Sequence, residues 1–206
     1  NASFVENSEL SGFFKRLKAL SLPQKQLFAV ALCQRMLPNY QLFSEVCEFG
    51  QPMVLSTALE LLWQSQYDKK TKFNVDVHLQ RIEENTPDPA DFEAYGAYPA
   101  MDAAVAISTL MSAISAKMED DIINISKLSS STVANYIEAI SDESLMDEAL
   151  DDFVFAHPVM QEEKEMQSSL LEIIEENPNM KAEFIKELRR EIVEIGVSNI
   201  GIEASR

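Results

Sequence analysis

The sequence predicts one all-α domain, a bundle of about eight to ten helices with a buried central helix near 99–117. Three observations lead there. Apolar residues recur three and four positions apart along most of the 206 residues, the repeat of a helix face. Pro23, Pro38, Pro52, Pro99, Pro158 and Pro178 stand where such patterns begin, and the first helical position tolerates proline because its missing N–H has no intrahelical partner there. Only 73–79 alternates with a period of two, and no second strand candidate exists to pair with it.

The elements follow in order. Residues 5–20 place Phe13, Phe14, Leu17 and Leu20 on one face. In 23–37 the unbroken apolar run from Leu27 to Cys33 implies burial on most sides, and a shorter helix at 39–48 carries Leu42, Phe43 and Val46. Gly50 sits where a helix C-cap falls. Helix 52–67 aligns Leu55, Leu59, Leu62 and Trp63, and 75–86 is a helix capped by Asn74. A loop opened by Pro87 and Pro89 precedes 99–117, where Ala and Ser surround the larger apolar residues and let neighbouring helices approach closely. Helix 119–140 starts with Glu119, Asp120 and Asp121, favourable against the helix dipole. An acidic helix at 142–150, a core plug of Phe153, Val154 and Phe155, and helices 158–176 and 179–195 follow. Gly196 fits a C-cap, and the tail at 198–202 packs back through Ile200 and Ile202.

The formal charge of −17 excludes more than it assigns. Nucleic acid and anionic membranes are repelled, because binding to a phosphate backbone rests on Lys and Arg displacing counterions. The uncharged stretch between Asp102 and Lys117 is shorter than the ~20 residues needed to cross a bilayer. With no signal-peptide pattern at the start and only Cys33 and Cys47, both expected to stay reduced, the expected location is the cytoplasm. Residues 138–176 contain 13 acidic side chains and one basic, Lys164. Such a run is either a solvated helical surface or a docking face for a basic protein.

Chemistry-bearing motifs are few. No glycine-rich nucleotide loop, nucleophile elbow or C-x-x-C occurs, and His78 and His157 lack metal-site spacing, so no cofactor is expected. Cys33 and Cys47 read as small core residues. Glu172 and Glu175 on one helix, with Glu191 and Glu194 on the next, form the one paired-acid arrangement of the kind that holds Mg²⁺ for phosphate-ester or nucleotide hydrolysis. It resembles the acid pairs of all-α nucleotide pyrophosphohydrolases. Periodicity opposes it, since Leu170, Ile173 and Ile174, then Leu188, Ile192 and Ile195, define the inward stripes. Arg35 beside an apolar run requires a partner if buried. Either it pairs with Asp102 or another buried carboxylate and sets helix register, or it reaches solvent while Asp102 serves a helix N-terminus.

Four strings carry a family resemblance: C-Q-R-M-L-P-N-Y at 33–40, Y-G-A-Y-P-A-M-D-A at 95–103, K-L-S-S-S-T-V at 127–133 and S-N-I-G-I at 198–202. Through them the chain resembles the YjaG-like bacterial proteins, domain-of-unknown-function family 416, from about residue 10 to its end. The resemblance implies an all-helical cytoplasmic protein with no established activity, and a link to histidine-kinase signalling through gene neighbourhood. Its motif positions with polar chemistry are Arg35, Asn39, Tyr40, Tyr95, Tyr98, Asp102 and Asn199. They are either a functional cluster or junction residues that satisfy backbone groups. The functional expectation is a non-enzymatic interaction or regulatory module, with the Mg²⁺-dependent hydrolase as alternative and a structural homo-oligomer as a third reading.

Overall fold

A computed structural model describes residues 2–205, with side chains from residue 9 onward; residues 5–8 of the first expected helix fall outside that side-chain set. Nine α-helices occur among the described residues: α1 Ala2–Ala19, α2 Leu22–Cys47, α3 Pro52–Tyr67, α4 Val75–Glu84, α5 Ala97–Ala116, α6 Glu119–Ile140, α7 Asp147–Ala156, α8 Pro158–Glu175 and α9 Ala182–Ile195. A single 3₁₀ turn, Pro89–Asp91, precedes α5.

The fold is built around α2 and α5, which pack on each other, while α3, α6, α8 and α9 all touch α2. Ala100, Ala103, Ala104 and Ala106 are wholly buried on α5, so adjacent backbones come close with little side-chain bulk between them. Helix α5 is long and apolar enough to cross a bilayer by length and composition, yet half of its apolar window is buried inside the bundle. It serves as a core helix here, as the alanine-rich pattern predicts.

Several expectations are corrected. The two helices expected at 23–37 and 39–48 form the single helix α2, with Pro38 inside it. Proline removes one N–H and crowds the preceding turn, a penalty of ~3 kcal/mol in a helix interior. Burial on both sides, from Leu27 through Cys33 and again at Met36, Leu37, Tyr40 and Phe43, outweighs it. The start of α2 is defined by a capping box, in which Ser21 and Gln24 exchange backbone-to-side-chain hydrogen bonds of 3.3 and 3.0 Å. Its left-handed C-cap is Glu48, with φ of 49°, rather than Gly50. Helix α7 lies later than 142–150 and absorbs the expected plug: Val154 is buried, Phe155 half-buried and Phe153 partly exposed. Helix α9 starts at Ala182 because Met180 takes a left-handed backbone, φ 50°, that interrupts the helix expected from 179.

Other local readings hold. Asn74 caps α4 by accepting from the Val77 N–H at 3.3 Å, and Gly196 closes α9 in the left-handed region. The tail folds back in a short antiparallel bridge between Val197 and Glu203 and buries Ile200 beside Val133, Ile137, Val154 and Met160.

Gly50, with φ of +70°, has a separate duty. A Cβ there would lie 2.1 Å from the Tyr40 hydroxyl oxygen. That hydroxyl donates to the Asn85 carbonyl at 2.6 Å, and the Asn85 side chain accepts from the Gln51 N–H at 2.8 Å. Gly50→Ala is expected to lower stability by ~2–4 kcal/mol, through left-handed strain plus displacement of Tyr40, measured by urea unfolding.

Candidate functional site

The centre of polar chemistry is a carboxylate on α8. Glu163 is fully buried and accepts from Arg35 Nη1 on α2, forming an ion pair. Its other oxygen accepts from Ser129 Oγ at 2.9 Å and from Gln167 Nε2 at 2.5 Å. Gln167 also accepts from Ser126 Oγ at 2.5 Å, and its amide donates to Ser130 Oγ at 3.1 Å. The chain of contacts reaches the tail, where Asn199 Nδ2 donates to the Ser129 carbonyl at 3.1 Å. Asn39 Nδ2 closes the set by donating to Asn199 Oδ1 at 2.9 Å.

Helical spacing explains the placement. Ser126, Ser129 and Ser130 share one face of α6, as Glu163 and Gln167 do one turn apart on α8. Arg35 therefore does have a buried carboxylate partner, and it is Glu163 rather than Asp102. Asp102 on α5 instead accepts from Thr132 Oγ1 at 2.8 Å. Burial drives the Asp102 carboxyl above its ordinary pKa, while the Thr132 hydrogen bond acts in the opposite direction.

The seven motif residues thus divide. Arg35, Asn39 and Asn199 belong to the Glu163 network. Tyr40, next to Asn39 in the chain, is buried and bonds Asn85 instead, and burial raises its hydroxyl to about 12. Tyr95 and Tyr98 flank the start of α5, their ring centroids 5.6 Å apart, and Tyr136 of α6 lies 6.5 Å from Tyr95. Burial, then the neighbouring Asp102 and Glu138 carboxylates, push Tyr95 up to about 12. Tyr98 is 50% exposed, and Tyr95 and Tyr136 are partly exposed beside it.

The paired glutamates do not assemble. Among the described residues no group of three or more His, Cys, Asp or Glu is placed to hold a metal ion. Glu175 is engaged by Arg16 of α1, and Glu172, Glu191 and Glu194 are exposed. Cys33 and Cys47 are free thiols; burial alone drives Cys33 upward, which leaves it a poor nucleophile. His157 caps α8, its Nδ1 accepting from the Val159 N–H at 3.2 Å.

Sequence reasoning overlooked Glu163, Gln167 and the serines of α6. The available signal was Glu163 and Gln167 falling on the inward side of α8, at the spacing of Met160, Leu170, Leu171 and Ile174. A carboxylate within an apolar stripe requires a buried partner.

Comparison with known proteins agrees with this architecture. The family model "Protein of unknown function (DUF416)" matches residues 12–203. The uncharacterized protein YjaG of Salmonella typhimurium is 36% identical over 188 residues, 91% of this chain and 94% of that protein. YjaG of Escherichia coli K12 is 35% identical over the same length, and an uncharacterized protein of Haemophilus influenzae is 30% identical over 191 residues, 92% of this chain and 95% of that one. A crystal structure of a DUF416 family protein from Shewanella baltica superposes with a TM-score of 0.90 at 80% identity, covering 93% of this chain and 98% of its own. The chain belongs to the DUF416 family.

Two outcomes test these assignments. Arg35→Met alone leaves Glu163 charged and buried and is expected to cost ~3–5 kcal/mol, whereas Arg35→Met with Glu163→Leu recovers most of that loss; urea unfolding of the double-mutant cycle measures it. For Asp102, whose folded pKa is raised, native stability falls as pH rises through that pKa. Asp102→Asn is therefore expected to raise Tm near pH ~7, with the gain shrinking toward pH ~4, read by thermal melts across that window.

Proposed function

We propose that this protein is a non-enzymatic interaction module that engages a basic segment of a partner protein through its tyrosine face and the acidic surface beside it. The observation that carries the reading is the grouping of Tyr95, Tyr98 and Tyr136 next to Asp102 and Glu138. Tyrosine is enriched among interface residues that dominate binding energy, and its ring faces attract Lys and Arg side chains. Glu138 also opens the stretch 138–176, where 13 acidic residues, all but the buried Glu163 available to that surface, accompany only Lys164. Lys164 lies over the Phe155 ring, 3.4 Å from its centroid.

Such an array speeds encounter with a positively charged partner and raises specificity more than raw affinity. A cytoplasmic regulatory role beside a histidine kinase, which the family resemblance implies, is one form that a module of this kind takes.

Fluorescence anisotropy with labelled Lys/Arg-rich peptides tests the reading, with acidic peptides of equal length as controls. Basic peptides are expected to bind, and to weaken by about tenfold or more as salt rises from ~50 to ~300 mM. Tyr98→Ala is expected to weaken binding by ~5–30-fold without lowering Tm, since half of that side chain is exposed. Equal binding of acidic peptides, or salt-independent binding, contradicts the proposal.

A further inference from the structure

A cleft of about 320 Å³ lies between α8, α9 and the tail, with Arg35 of α2 among its lining residues. That volume is at the lower end of small-molecule sites. On α8, Glu162, Glu165, Met166 and Ser169 line it from one helical face; Ile192 and Ile195 of α9 and Val197 of the tail form the apolar wall. Ile195 is 71% exposed although periodicity places it on the inward stripe. The cleft is the reason: the stripe of α9 runs past the core and ends at this opening.

Arg35 supplies the polar end. A guanidinium has five N–H donors, and here the bond to Glu163 uses Nη1. Among the described residues, no protein group accepts from its other nitrogens. The wholly buried side-chain atoms left without a partner are Asn39 Oδ1 and Thr71 Oγ1, not a guanidinium nitrogen. With its side chain 12% exposed, Arg35 therefore presents its remaining donors to the cleft it lines. Ser129 and Gln167 hold Glu163, and Glu163 holds Arg35, so those donors are pre-organised.

Charge then selects the ligand. Glu163 already offsets Arg35, and Glu162 and Glu165 at the mouth are exposed, with no ion pair to a described residue. A simple anion meets repulsion from those two carboxylates, and a simple cation leaves the Arg35 donors unused. A zwitterion with an apolar body satisfies both ends. We propose that this cleft binds a free α-amino acid with an apolar side chain: the carboxylate on Arg35, the ammonium toward Glu162 and Glu165, and the side chain against Met166, Ile192 and Ile195. The site is distinct from the tyrosine face, although Glu162 and Glu165 belong to the acidic stretch 138–176.

Calorimetric titration of the whole protein with L-leucine and L-methionine tests this, alongside leucine amide, N-acetyl-leucine and glycine, which lack the carboxylate, the ammonium and the side chain in turn. Leucine or methionine is expected to bind with Kd between ~10 μM and ~1 mM, and each control at least ~10-fold more weakly. Glu162→Gln with Glu165→Gln, both at exposed positions, is expected to retain Tm and weaken leucine at least ~10-fold. Ligand-observed NMR repeats the panel in case the heats are small. Absence of leucine and methionine binding by both methods, equal binding of any control, or unchanged leucine affinity in the double variant overturns the proposal.

Discussion

A buried carboxylate must be neutralised and hydrogen-bonded or the fold does not tolerate it, and Glu163 imposes that demand on four parts of this protein. Its pairing with Arg35 sets α8 against α2, and its bonds to Ser129 and Gln167 set α8 against α6. Asn199 carries the same network into the tail. Sliding any of these elements by one residue would turn a partner away from the carboxylate. Apolar packing alone accepts neighbouring registers far more readily, since contacts between similar side chains are nearly interchangeable. The hydrophobic core supplies most of the driving force, and the Glu163 network selects the arrangement.

The same network adjoins the cleft through Arg35, which bonds Glu163 and lines the opening. Around Glu163 the polar groups of α2, α6, α8 and the tail bond largely to one another. In the cleft, Arg35 meets apolar walls and the carboxylates of Glu162 and Glu165. The tyrosine face lies elsewhere, around the start of α5, where Thr132 ties Asp102 to α6. The motif strings shared with the family thus serve two places, a buried lattice and an exposed aromatic patch.

Much of this was readable along the chain. Capping chemistry marked the start of α4, alanine content identified α5 as a core helix, and Gly196 marked the end of α9. Pro38 misled because proline's local preference was weighed without the burial of both flanks of α2. The α7 boundary shifted because a short acidic segment has little periodicity, and buried Val154, not the whole Phe-Val-Phe string, anchors it.

By itself the sequence determined that the chain is helical, that α5 is almost free of charge, and that Arg35 would require an acidic partner if buried. Those properties depend on residues within a few turns of one another. Only the tertiary structure decided that the partner is Glu163, 128 positions away, that Asp102 binds Thr132 instead, and that Ile195 lines an opening rather than the core. Periodicity reports which side of a helix faces inward. It carries no information about which element lies across from that side, and that is set by how the helices pack in three dimensions.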